Sequence, residues 1–208
     1  MLLAFDTATP AVTVALHDGA SIVGRYCVVD PLRHGELLAP GIVEVLDRSG
    51  LGPRQLTRIA VGVGPGPFTG LRVGVITART MGAVLGIPVV GICSLDIVAA
   101  GVSVDGPFAV ATDARRKEVY WARYGSSGER LTDPVVTKPS AVASDGPVAG
   151  QGAVLYPGAF AQAAPPEYPD AAELARLVVE QRAQVLPPDP LYLRRPDVSA
   201  PSAPKPVL

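Results

Sequence analysis

Histidine and cysteine are nearly missing from this chain, with two of each in 208 residues. His17 and His34 stand far apart, which argues against a His-based metal or catalytic constellation. Cys27 and Cys93 are too few for a disulfide framework, and each lies in an apolar run where a buried free thiol is ordinary. Aromatic residues make up only 5% of the chain, so broad stacking platforms are not expected. No long block of one charge sign occurs either: the net charge is −1. A protein that grips nucleic acid by itself usually presents a basic face, because its affinity rests on neutralising phosphates. The densest basic spots are residues 115–117 and 193–195, and neither is interleaved with aromatics in a way that suggests base stacking. Independent nucleic-acid binding is therefore not expected. Mean hydropathy is positive, +0.31, yet the apolar run from Thr80 to Leu95 is shorter than the ~20 residues a bilayer needs and is broken by Pro88. The opening "MLLAFDTATP" has no basic leader and carries Asp6 inside its apolar stretch, unlike a signal peptide. These absences lead to the expectation of a cytoplasmic protein with no membrane partner.

Glycine and proline, at 22 residues each, are abundant and imply tight turns and close backbone packing. Residues 1–30 read as three strands, "LLAFD", "VTVALHDG" and "SIVGRYCVV", with a hairpin turn at His17–Ala20. Residues 33–49 follow a helical period through Leu38, Ile42, Val45 and Leu46, with Pro40 expected to kink the helix or restrict its start. A buried strand at 58–64, a helix at 69–86, a strand at 88–93 and a short helix at 95–101 complete a ribonuclease-H-like α/β unit over 1–103. "PFAVATDARRKEVYWARY" (107–124) repeats the opening strand–acid–turn–strand pattern, setting Asp113 on Asp6. The fold class is thus an α/β, actin-like duplicated fold with a reduced second subdomain over 104–190. In that subdomain Asp170 and Glu173 make a capping box for a helix whose apolar face is Leu174, Leu177, Val178 and Val185. A Pro-rich tail follows at 191–208.

The stretch "VGVGPGPFTGLRVG" (61–74) occupies the usual place of a phosphate cradle but fails both common templates. Starting from Gly64, the second glycine of a P-loop and the third of a dinucleotide loop both fall on Thr69, and no Lys follows. Pro65 and Pro67 also remove amide donors that an anion nest would use. Amides of Phe68, Thr69 and Gly70 leave a weak anion site open at the helix start. Gly70, Gly74, Ala78, Gly82 and Gly86 then recur every four residues. Each interior glycine costs about 1 kcal/mol relative to alanine, so the stripe is expected to serve close packing. It could meet the chain's own sheet or a partner helix; Leu71 and Val75 beside it, with Ile76 and Val84 elsewhere, imply that more than one face is buried. Asp6, Thr7 and Thr9 end the first strand at a tight turn where an actin-like ATPase places groups around phosphate and metal, and Asp113 is their counterpart. A plain turn-closing role serves equally well for each. His34 and Glu36, two apart on a helix, do not face each other. No G-x-S-x-G elbow is present, and Cys93 reads as core.

"AFDTAT", "GVGPGPFTGLRVGVITARTMG", "DARRKEVYWARY" and "LYLRRP", in that order through nearly the whole chain, closely resemble the TsaB family. That family is the dimerization subunit of the bacterial machinery that makes threonylcarbamoyladenosine in tRNA; Pro67 stands where many members have Ser. The resemblance implies a catalytically inert, actin-like scaffold for the paralogous catalytic subunit TsaD, with TsaE as an ATPase partner. In TsaD, two histidines four apart hold a metal just after the strand that matches "PVVGIC". Here the corresponding segment, "CSLDIV", offers Ser94 and Val98, so no metal and no catalytic residue are expected. The resemblance also implies that the helices at 33–49 and 69–86 form the pairing surface, with TsaD or with a second copy when the chain is alone. Leu38, Ile42, Gly70, Leu71, Gly74, Val75, Ala78 and Gly82 are the expected partner contacts. The tRNA would be held only through the complex. No cofactor is expected, with ATP or ADP left open at the subunit junction, near Asp6, Thr7, Thr9 and Asp113. The rival readings are a small actin-like ATP-dependent kinase, with Asp6 and Asp113 around Mg-ATP, and a metallopeptidase, for which the ligands are lacking.

Overall fold

The computed structural model describes residues 1–144 and 146–194. Most of the expected tail, from residue 195 on, lies outside the described residues. Strands β1 (Leu2–Asp6), β2 (Ala11–His17), β3 (Ile22–Val29), β4 (Arg58–Gly62) and β5 (Val89–Ile92) form one sheet in the order β3-β2-β1-β4-β5. The first three are antiparallel neighbours, and β4 and β5 add in parallel. Every residue of β1 and β2 is buried, whereas edge strand β3 alternates, as expected when helices cover both faces of a sheet centre. Leu3 and Phe5 point to one face, where α1 (His34–Arg48) and α2 (Phe68–Leu85) bring Leu38, Ile42, Leu71 and Val75. Leu2 and Ala4 point to the other, toward α3 (Ser94–Ala100) and α5 (Ala171–Val179). Pro40 is accommodated inside an unbroken α1, on its exposed side.

The second sheet repeats the first. Strands β6 (Phe108–Asp113), β7 (Val119–Tyr124), β8 (Val135–Thr137), β9 (Val148–Ala149) and β10 (Ala163–Ala164) run in the order β8-β7-β6-β9-β10. Again two antiparallel pairs lie on one side of the first strand and two parallel pairs on the other. This shared topology establishes the duplicated, actin-like α/β architecture. The second copy is reduced: β9 and β10 have two residues each, and α4 (Gln151–Leu155) has five. Between the sheets, Cys93, Leu95 and Val98 pack against Phe108, Val110 and Tyr124. Asp96 on α3 accepts from Tyr124 Oη at 2.8 Å and pairs with Arg130, fastening the two halves across that core.

Several expectations change in detail. Segment 171–179, read as part of the second subdomain, packs on the first sheet, with Leu174, Leu177 and Val178 beside Leu2 and Ile92. Asp170 does cap α5, accepting from Ala172 N at 2.8 Å. Glu173 does not return to the cap and pairs instead with Arg176. Val185 lies beyond the helix and is exposed. Cys27 is exposed on β3, although Cys93 is buried. The chain after Leu186 runs along the edge of the first sheet, with Leu186 bridging Gly91 and Leu191 N donating to Val63 O. Among the described residues no helix is long and apolar enough to cross a membrane.

Candidate functional site

The turn after β1 is the natural place to look for chemistry, because β1 is a central strand and the residues that follow it line a cleft with Arg115 of the second half. Asp6 closes that turn: its Oδ1 accepts from Ala8 N at 2.8 Å. Its Oδ2 accepts from Ser94 Oγ at 2.5 Å, and Ser94 Oγ in turn accepts from Gly64 N at 3.0 Å. The carboxyl group is 1% exposed. Burial pushes its pKa up to about 6, against the opposing pull of the Ser94 and Ala8 hydrogen bonds and of the His34 charge. Thr7 Oγ1 donates to Gly70 O at 2.8 Å, and Thr9 Oγ1 accepts from Ala11 N at 3.3 Å. His34 Nε2 lies 2.7 Å from Thr9 O; a carbonyl only accepts, so this nitrogen carries the hydrogen.

The glycines of the following loop are what seal this turn. A Cβ at Gly62 would strike the Asp6 carboxylate, and one at Gly66 would strike the Ala8 carbonyl. At Gly70 a Cβ would lie 2.6 Å from Thr7 O, and at Gly74 2.5 Å from Thr7 Oγ1. Farther along, Gly82 makes room for Val89 of the same sheet. Gly86 is not part of this inner face; at φ +66° it is the left-handed cap of α2. The expected partner contacts are corrected on this point. Leu38, Ile42, Gly70, Leu71, Gly74, Val75, Ala78 and Gly82 are all buried in the chain's own core, so the close approach they permit is to β1, its turn and β5. The sides of α1 and α2 that face outward carry Val43, Ile76 and Val84 instead, at 56%, 59% and 78% exposure. A shallow groove of about 530 Å³ runs there past Gly35, Phe68, Arg72, Val73 and Ile76.

The structure brings together Thr7, Thr9 and Arg115, which line one cleft of about 330 Å³ with His34, Phe68 and Thr69. Asp6 is not among its lining residues, nor is Asp113. Asp113 makes the same turn as Asp6, accepting from Arg115 N at 2.9 Å, and its side chain faces the Arg115 guanidinium at 3.5 Å. Ser94 is committed to Asp6 and Gly64, while Val98 is fully buried in core. Among the described residues no group of three or more His, Cys, Asp or Glu is placed to hold a metal ion. The cleft thus has hydroxyls already engaged, one guanidinium at its rim and no accessible carboxylate from β1. Sequence reasoning missed Ser94 as the partner of Asp6 and the glycine loop as its lid. The signal available was the run of glycines at 62, 66, 70 and 74, which matches no phosphate template.

Comparison with known proteins adds to this picture. A family model described as TsaD, tRNA N6-adenosine threonylcarbamoyltransferase, matches residues 31–162. An uncharacterized protein of Mycobacterium leprae is 42% identical over 203 residues, which is 95% of this chain and 55% of that protein. The tRNA threonylcarbamoyladenosine biosynthesis protein TsaB of Escherichia coli is 37% identical over 127 residues, 59% of this chain and 54% of that protein. Both of these relatives are thus matched over about half their length. The solved structure of YeaZ from Pseudomonas aeruginosa superposes with a TM-score of 0.77 at 30% identity, over 92% of this chain and 99% of that one.

Proposed function

The chain belongs to the TsaB family, and from that premise we propose that it serves tRNA threonylcarbamoyladenosine biosynthesis as a non-catalytic subunit paired with a TsaD-type catalytic partner. The observation that carries the non-catalytic part is the sealed Asp6. A carboxylate that is to hold Mg-ATP must reach the cleft, and here it is bonded to Ser94 at 2.5 Å behind a wall of glycine backbone. The kinase reading needs that group open, and the metallopeptidase reading needs ligands that Ser94 and Val98 do not offer. Pairing is assigned to the outward faces of α1 and α2, where Val43, Ile76 and Val84 lie exposed and Ile76 lines an open groove, since exposed apolar side chains along a groove are what a partner covers. A second copy occupies the same face when the partner is absent, and a TsaE-type ATPase joins the pair. The Thr7, Thr9 and Arg115 cleft shares Gly35, Phe68, Thr69 and Val73 with the groove on that face, so a nucleotide at the subunit junction would sit there. A cytoplasmic assembly goes with work on tRNA.

Light scattering of the chain, alone and mixed with a TsaD-type protein, tests the reading. The expected result is a heterodimer with the partner, lost in Ile76→Asp or Val43→Asp while the melting temperature stays within a few degrees. Absence of any association, or association indifferent to both substitutions, would overturn it.

A further inference from the structure

The two basic spots that look isolated in the sequence meet in the fold. After Leu191 the chain crosses from the first sheet to the β6–β7 turn, where Arg194 donates to Ala114 O at 3.3 Å and pairs with Glu118. That turn holds Arg115, Arg116 and Lys117 in three successive left-handed conformations, φ 61°, 54° and 59°. Such residues are uncommon outside glycine and cost on the order of 1 kcal/mol each. The turn keeps all three cationic side chains exposed. Beside it, Phe68 stacks on Tyr192 at 5.1 Å. Arg72 lies 3.7 Å from the Phe68 ring centre and donates from Nε to Tyr192 Oη at 2.8 Å. A shallow cleft of about 150 Å³ joins the two groups, lined by Phe68, Arg115, Arg116, Tyr120, Tyr192 and Arg194.

Among the described residues this face holds Arg115, Arg116, Lys117 and Arg194 against the carboxylates of Asp113 and Glu118, in a chain whose net charge is −1. Tyr192 keeps 40% of its surface exposed. Cations placed around an aromatic ring are what a sugar–phosphate backbone and an unstacked base require together. The cleft is too small for a whole nucleotide, since pockets that enclose small molecules run from about 300 Å³ upward. A polyanion lying across the surface fits it better. We infer that the face formed by the 115–117 turn, Arg194 and the exposed ring of Tyr192, at the edge of the groove assigned to pairing, is a direct contact surface for single-stranded or loop RNA. The inference rests on the reading that this chain works on tRNA and makes the chain itself one of the groups that hold it.

Fluorescence anisotropy of a labelled tRNA titrated with the full chain at about 50 mM salt tests this. Binding is expected, weakened tenfold or more by Arg116→Glu with Lys117→Glu. The slope of log affinity against log salt should fall by about 1.5, at ~0.7–0.9 for each phosphate no longer neutralised. Tyr192→Ala should weaken binding about fivefold or more without changing that slope, because stacking is worth roughly 1–3 kcal/mol per base. It also keeps the test open should charge reversal disturb the turn. No tRNA binding by the wild type, or equal binding by all three proteins, would overturn the inference. So would displacement of the tRNA by millimolar ATP with the same dependence on the variants, which would make this a site for free nucleotide phosphate. Light scattering of the same preparations with the TsaD-type protein reports on pairing separately, so loss of one result does not mimic loss of the other.

Discussion

The two halves of the molecule open with the same turn and surround it differently. Asp6 and Asp113 each end the first strand of a five-stranded sheet, and each accepts from the backbone N–H two residues on, at 2.8 and 2.9 Å. In the first half the carboxylate is enclosed by Gly62, Gly66 and Ser94. In the second half the side chain remains 12% exposed and faces an arginine, and the turn beyond it projects three basic residues. The hydrogen bond within the turn is a matter of local sequence. Whether the acid can reach a ligand depends on what packs over it, and that is set by residues far along the chain in the first half. An actin-like Asp is thus a weak sign of nucleotide chemistry until its lid is known.

Substitutions that open or crowd the first turn should have far larger effects than their counterparts in the second. Gly74→Leu has the largest expected effect. Its Cβ alone would lie 2.5 Å from Thr7 Oγ1, and further carbons must enter a filled core, so about 3 kcal/mol or more of stability is lost. Denaturant unfolding would show this, and a variant as stable as wild type would break the comparison. Asp6→Asn comes next, with an effect that depends on pH. The folded-state pKa of about 6 lies above the ordinary 3.8. The carboxyl's contribution is therefore complete below about pH 3.8 and is lost as the pH rises through about 6. The neutral amide escapes this titration, although its one oxygen accepts only one of the two hydrogen bonds that Asp6 accepts, so the difference between variant and wild type should move in the variant's favour by about 1–3 kcal/mol between about pH 4 and about pH 7. Melting temperatures measured from about pH 4 to about pH 8 would check it; parallel curves for the two proteins would contradict it. The smallest effect belongs to Asp113→Asn, which keeps the turn-closing acceptor at a partly exposed site and should change stability by less than about 0.5 kcal/mol. Denaturant unfolding of that variant is the matching check.

Much of this fold is legible in the sequence. The strands and helices of the first half fall within a residue or two of their expected limits, because their apolar periods are regular and Gly86 marks the end of α2. The duplication is legible through Asp113, since both halves begin with a strand that ends in the same turn. The direction of the glycine stripe is not. Small residues suit close approach to any backbone, and only Thr7 and Val89 show that the approach is internal. Strands β9 and β10 are too short to carry a period. The placement of α5 on the first sheet and the meeting of Arg194 with the 115–117 turn depend on long returns of the chain that no local pattern records.

The most direct test of the central claim, that Asp6 closes a turn and performs no chemistry, is threonylcarbamoyl transfer to tRNA by a mixture of a TsaD-type enzyme with this chain carrying Asp6→Asn. The account predicts transfer within about twofold of wild type from a variant that folds and pairs. Loss of transfer by a variant that still folds and still pairs would contradict it, and would return Asp6 to the role of a catalytic or nucleotide-binding acid.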